Sequence, residues 1–224
     1  YRYEVILTNL VDFFRSPRGM AFDSSRKLYI ADSDNHRIVV YDTKNNTYSN
    51  VGQLGTAPGE FNQPIGVALD SSDNLYITDA NNHRVQRRRA SSGSWTVWGG
   101  TAVGTNQGQF NGPYDVVTDS KTNVYVADLY NDRVQKRDSS TGLWMTWVTN
   151  GFPDGRVRAP AGVAIDSSNR LYVGDYEGGY SRIQRFSSNG LSFLRLASSL
   201  STDGALDETR CMTFGITKDF FVAD

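Results

Sequence analysis

Only two histidines occur in this 224-residue chain, His36 and His83, in the runs DNHRIVV and NNHRVQR. A neutral imidazole is a common zinc ligand, and a catalytic zinc takes three protein ligands and keeps one position open. The next copy of the pattern, NDRVQKR, offers Asp132 as a third ligand, and the copy after that offers Tyr180 and Ser181. The recurrence of the pattern already accounts for both histidines, so neither a metal nor any other cofactor is expected.

A second chemistry lies beside the first. Asp32, Asp79, Asp128 and Asp175 precede Arg37, Arg84, Arg133 and Arg182 by five to seven residues. Carboxylate and guanidinium can pair as a bidentate fork. Catalysis needs such a constellation once, so a pair that occurs four times reads as architecture. No Ser-His-Asp order and no nucleophile elbow is present. The runs GEFNQP and GQFNGP lack the strand-to-helix setting of a phosphate loop. Cations recur at Arg87, Arg88 and Arg89, at Lys136 and Arg137, and at Arg185. They form either a phosphate-binding stripe, whose affinity would fall with salt, or a set of cations stacked on Trp95, Trp98, Trp144 and Trp147. With 23 basic and 24 acidic residues and a formal charge of −1, no global field draws nucleic acid. Stacking is the preferred reading, and nucleic acid is not an expected partner.

The elements that carry these residues follow from an internal repeat. Asp23, Asp70, Asp119 and Asp166 are spaced by 47, 49 and 47 residues, and each is followed nine residues later by Asp32, Asp79, Asp128 or Asp175. Such a period points to a propeller, a solenoid or an array. Each unit reads as four short strands. Strand a is apolar (GVALD, GVAID), with Gly66 and Gly162 fitting a crowded axis. Strand b is β-branched and aromatic (KLYIAD, NLYITD, NVYVAD, RLYVGD). Strand c begins at the histidine and arginine, and strand d carries Tyr48, Trp95, Trp98, Trp144, Trp147 and Phe193. Serine- and aspartate-rich turns join a to b. A solenoid is the rival, but its repeats are usually shorter and lack a broad aromatic strand. The expected fold is therefore all-β: a β-propeller of four-stranded antiparallel blades, with four full blades over about residues 15–200 and a partial fifth shared between the termini. The single domain 1–224 divides into strand d of the closing blade (1–14), blade 1 (15–61), blade 2 (62–110), blade 3 (111–157), blade 4 (158–205) and strands a and b of the closing blade (206–224).

In this reading the closing blade lacks a strand c. Either the native chain is longer, which is preferred, or another copy fills the gap by pairing with the open edge. The start at Tyr1 is read the same way: a leader was removed, or the chain is a piece of something longer. Cys211, the single cysteine, allows no intrachain disulfide and is read as a small buried residue. No run of 18 apolar residues is present to span a membrane.

The runs IADSDNHRIVVYD and ITDANNHRVQRRR resemble the NHL repeat family, VADLYNDRVQKRD keeps most of the pattern, and VGDYEGGYSRIQRF departs from it. This resemblance extends over roughly residues 15–224. It implies a propeller, but it does not fix an activity, because family members include RNA-binding domains, protein scaffolds, extracellular repeat proteins and a zinc-dependent amidating lyase. The variable b–c loops are the expected recognition surface: Asp34, Asn35 and His36; Asn81, Asn82 and His83; Tyr130 and Asn131; Glu177 and Tyr180. Asn45-Asn46-Thr47 is a glycosylation sequon in a c–d turn. Taken together, the sequence is read as an extracellular, secreted, non-catalytic propeller that binds protein or glycan or self-assembles through an open blade edge. The alternatives are an RNA-binding domain using the basic stripe and a metal-dependent lyase or hydrolase.

Overall fold

The computed structural model describes residues 14–175, 181–198, 211–214 and 219–223. Four sheets of four antiparallel strands follow one another along the chain. Blade 1 is β1 (Pro17–Phe22), β2 (Lys27–Asp32), β3 (Arg37–Asp42) and β4 (Thr47–Val51). Blade 2 is β5 (Pro64–Leu69), β6 (Leu75–Asp79), β7 (Arg84–Arg88) and β8 (Trp95–Gly99). Blade 3 is β9 (Pro113–Thr118), β10 (Val124–Asp128), β11 (Arg133–Arg137) and β12 (Trp144–Val148). Blade 4 is β13 (Pro160–Ile165), β14 (Leu171–Asp175), β15 (Arg182–Phe186) and β16 (Phe193–Ser198). A fifth sheet contains β17 (Cys211–Phe214) and β18 (Phe220–Ala223). Residues 1–13, expected to supply strand d of the closing blade, lie outside the described residues.

The first aspartate of each repeat builds the a–b turn. Asp70 Oδ1 accepts from the backbone N–H groups of Ser72 and Asn74 at 2.9 and 3.0 Å, and Tyr76 Oη donates to Asp70 Oδ2 at 2.8 Å. The same tyrosine-to-aspartate bond recurs from Tyr29, Tyr125 and Tyr172. Strand b is apolar without alternation because neighbouring blades cover both of its faces. Every residue of β6, β10 and β14 is buried.

The core is a series of layers between blades. Ala31 and Ile38 of blade 1 meet Val67, Leu75 and Ile77 of blade 2. Tyr76 and Val85 meet Val116 and Val126, and Tyr125, Ala127 and Val134 meet Val163, Leu171 and Val173. Tyr172 and Ile183 meet Met212 of the fifth sheet. Burying the valine, leucine, isoleucine and methionine side chains among these stabilises by about 1.5–3 kcal/mol each. Phe61 and Phe110, both fully buried in the linkers that enter blades 2 and 3, pack edge-on against Trp95 and Trp144 at 5.8 and 5.2 Å. The inner strands approach so closely that a Cβ on Gly66 would lie 2.8 Å from the Cα of Asp115. No helix among the described residues is long and apolar enough to cross a membrane.

Candidate functional site

The b–c turns and the d–a linkers share one face. Each of the three described b–c turns is a short 3-10 segment: Ser33–Asn35, Ala80–Asn82 or Leu129–Asn131. The residue that closes it, His36, His83 or Asp132, adopts a left-handed conformation with φ of 55°, 51° or 51°.

At its centre sits the second repeated aspartate. Asp79 Oδ2 accepts from Arg84 Nε at 2.7 Å, Asn82 Nδ2 at 3.0 Å and Gln86 Nε2 at 3.1 Å, while Oδ1 accepts from Asn62 N–H at 2.6 Å. Asp128 does the same with Arg133, Asn131, Gln135 and the N–H of Asn111. In blade 1, Asp32 holds Arg37, Asn35 and the N–H of Arg15. In blade 4, Asp175 holds Arg182 at 2.8 Å. Burial is the main influence on Asp79 and Asp128 and raises their pKa values, with the hydrogen bonds opposing it.

The arginines then reach from this hub to the linker. Arg84 donates to the carbonyls of Thr56, Ala57 and Glu60, and Gln86 also bonds Glu60 O and Gly59 N–H. Arg133 with Gln135, and Arg182 with Gln184, hold residues 105–109 and 151–156 in the same way. The glutamines of RVQ and RIQ recur at positions 86, 135 and 184, and that recurrence is the sequence signal for this linker-holding role.

The turn-closing residues link blade to blade. His36 Nδ1 accepts from Gln63 N–H and His83 Nδ1 from Gly112 N–H, both at 3.1 Å. Asp132 replaces imidazole with carboxylate, accepting from Ala159 N–H at 2.7 Å and Asn150 Nδ2 at 2.8 Å. At the three positions that could have held a metal, each imidazole Nδ1 accepts one structural bond and the Asp132 carboxylate accepts two. No group of three His, Cys, Asp or Glu able to hold a metal ion occurs among the described residues.

Of the expected recognition residues, Asn35, Asn82 and Asn131 belong to the hub. Asp34, Asn81 and Tyr130 are the exposed members of their turns. Asp34 accepts from Ser16 Oγ and Gln63 Nε2, and Asn81 donates to Gln63 Oε1. Tyr130 is 69% exposed, and its ring lies over Gly112, where a Cβ would approach it to 2.6 Å. Glu177 and Tyr180 lie outside the described residues. Asn45 is exposed in its c–d turn.

Three of the basic residues, Arg87, Lys136 and Arg137, stack on indoles. The Arg87 and Arg137 guanidinium centres lie 5.5 and 4.8 Å from the Trp98 ring, and Lys136 Nζ lies 4.3 Å from Trp147. Burial, then the charge of Arg87, lowers the Arg137 pKa.

The inner strands line an open axial channel of about 620 Å³. Arg18 bridges its mouth, with Nη1 donating to Tyr114 Oη at 2.7 Å, and Asp115 lies on its wall.

Comparison with known proteins agrees with this geometry. The NHL repeat model matches residues 14–41 and 61–87. No curated protein matches the sequence. Among solved structures, virginiamycin B lyase from Staphylococcus aureus is similar at 14% identity and a TM-score of 0.66, over 91% of this chain and 61% of the lyase. A chain of the nidogen/laminin complex is similar at 17% identity and a TM-score of 0.72, over 93% of this chain and 72% of that one. A gluconolactonase from Xanthomonas campestris gives 15% identity and a TM-score of 0.70, over 93% of this chain and 69% of the enzyme. The chain thus spans about three-fifths of the length of the lyase. At these identities the likeness is one of fold.

Proposed function

This chain carries NHL repeats on a propeller scaffold, and from that premise we propose that it is a non-catalytic binding module for a protein or a glycan, docked on the face of the b–c turns. One observation carries the reading. Three successive turns share a fixed frame and differ in the side chain held out from it: Asp34, Asn81 and Tyr130. A rigid scaffold with variable outward residues suits recognition. Tyrosine is enriched among residues that dominate binding energy, and an exposed ring backed by Gly112 is pre-organised for it.

The fold alone hosts enzymes and binding proteins alike, as the lyase, the gluconolactonase and the nidogen/laminin complex illustrate. The metal-lyase alternative needs His36 and His83 as ligands, yet the Nδ1 lone pair of each already accepts a backbone N–H. The RNA alternative needs the whole basic stripe, yet three of its six cations, Arg87, Lys136 and Arg137, lie on indoles.

The test is binding of the chain to a glycan array and to purified matrix glycoproteins. The combined variant Asp34→Ala, Asn81→Ala, Tyr130→Ala should lose at least about tenfold in affinity. Lys121→Ala, in the a–b turn at the opposite end of the strands, should bind as the parent does. Equal binding by the combined variant and the parent would end this reading.

An assembly role rests on a second observation. Among the described residues β18 pairs with β17, and a strand of another copy could add to its other side. Light scattering over a concentration series tests it, and a mass that does not grow with concentration removes it. The extracellular setting belongs to the same proposal and is supported by the exposed Asn45. An intact mass of the secreted protein without a glycan would remove that support.

A further inference from the structure

The inner strands share a column of small residues. Gly19, Gly66 and Gly162 occupy equivalent places in RGMAF, IGVAL and AGVAI, and Asp115 stands at that place in YDVVT. The column is crowded: a Cβ on Gly19 would lie 2.4 Å from Ile65 O. A feature present in every blade is scaffold, and this carboxylate occurs in one blade of the four. The break in the glycine column is visible in the sequence itself.

Asp115 spans three inner strands. Its Oδ1 lies beside Gly66 of β5 and accepts from Val116 N–H at 2.8 Å, and its Oδ2 accepts from Val163 N–H of β13 at 2.9 Å. No cation pairs with it among the described residues. Protein atoms surround it, yet it keeps some solvent contact through the channel. Burial pushes its carboxyl up to about 7, as expected of a charge without a counterion.

The counterion is held apart on the same wall. Arg18 lines the channel from β1 and is tied to the hydroxyl of Tyr114, the residue before Asp115, with its guanidinium 5.8 Å from the Tyr114 ring. Two opposite charges thus face one cavity without pairing. The remaining wall is largely apolar, including Met20, Phe22, Val67, Ile165 and Phe214. A volume of about 620 Å³ falls within the range of small-molecule sites, about 300–1,000 Å³.

We propose that the axial channel binds a small zwitterion with an apolar body, of the amino-acid type, its ammonium on Asp115 and its carboxylate on Arg18. The ammonium offers three donors to a carboxylate that still has free lone pairs, and the guanidinium fork matches a carboxylate. The apolar remainder displaces water from the channel wall. This site is separate from the b–c face, so it stands or falls independently of the docking function proposed there.

The experiment is calorimetric titration of the whole chain with L-phenylalanine, L-phenylalaninamide and hydrocinnamate. These present both charges, the ammonium alone and the carboxylate alone. The zwitterion should bind at least about tenfold more tightly than either analogue, a difference of about 1.4 kcal/mol. Asp115→Asn keeps one acceptor oxygen for Val163 N–H but sets its amide nitrogen against Val116 N–H, so a purely structural role predicts a lower melting temperature with the order of ligand affinities unchanged. The proposal instead predicts that L-phenylalanine loses its advantage over hydrocinnamate. Asp115→Gly, which restores the residue of the other blades, should do the same while still melting cooperatively. Arg18→Met should erase the advantage over the amide. No saturable heat with L-phenylalanine at about 10 mM, or unchanged binding in both Asp115 variants, overturns it.

Discussion

Replacing Arg84 with methionine tests whether the repeated aspartate–arginine pair is scaffold. Methionine keeps the length and apolar stem of the side chain and removes the guanidinium. The loss is a 2.7 Å bond to Asp79 between side chains only 4% and 0% exposed, together with the donors to three linker carbonyls. Asn82, Gln86 and the N–H of Asn62 would still hold Asp79, but its charge would be left buried without a cation. Breaking one side of such a pair costs about 3–5 kcal/mol. The freed linker carbonyls lie near the surface, can turn to water, and add little. Against a total stability of about 5–15 kcal/mol, and at about 2–4 °C per kcal/mol for a chain of this size, the midpoint should fall by roughly 10 °C. Urea melts of the parent, Arg84→Met, Asp79→Asn and the double variant give the coupling directly, expected at about 1.5–3 kcal/mol. The molecule also supplies a control. Arg195 and Asp154 approach only to 3.7 Å, with side chains 50% and 35% exposed, so Arg195→Met should cost less than about 1 kcal/mol. If Arg84→Met costs no more than Arg195→Met, the reasoning is refuted.

Further outcomes follow from the same contacts. His83→Asp should stay within about 1 kcal/mol of the parent in urea melts, because Asp132 makes the equivalent link in blade 3, whereas His83→Ala should lose about 1–2 kcal/mol with the acceptor for Gly112 N–H. The reverse order would mean that the imidazole does something a carboxylate cannot. Gly66→Ala places a methyl against the backbone of Asp115 and should destabilise by about 1–3 kcal/mol, read as a lower melting midpoint. Asp115 has a carboxyl near 7 in the fold and near 3.9 when unfolded, so the native chain holds a proton that the unfolded chain releases. The stability it adds is complete below about pH 4 and is lost as pH rises through about 7. From pH 8 to pH 5 the parent should therefore gain roughly 1–2 kcal/mol relative to Asp115→Gly, allowing for screening by channel water. A difference between the two that does not change with pH would contradict the shift.

The blades were legible because their information is local. The aspartate that binds its own a–b turn, the β-branched strand b and the aromatic strand d recur at a fixed period, and each needs only its neighbours in sequence to be interpreted. The roles on the b–c face were less legible. Asn82 and His83 look like residues of a polar loop until their partners are known, and those partners, Gly55 O and Gly112 N–H, lie 27 and 29 residues away. Asn131 repeats the case through Gly104 O. A carboxylate in the glycine column was readable as an anomaly, but its relation to Arg18, 97 residues earlier, appears only when the inner strands are brought around a common axis.

The division of labour within each turn bears on how such a surface diversifies. The buried aspartate, the asparagine and the left-handed closing residue hold the blades together, while the second residue of the turn adds only solvent-exposed contacts, such as those of Asp34 and Asn81 with Gln63. Substitutions at 34, 81 and 130 can therefore accumulate with little loss of stability, and each alters the chemistry of one sector of the disc without disturbing the next. A library restricted to these three positions would sample new specificities on a framework that remains folded.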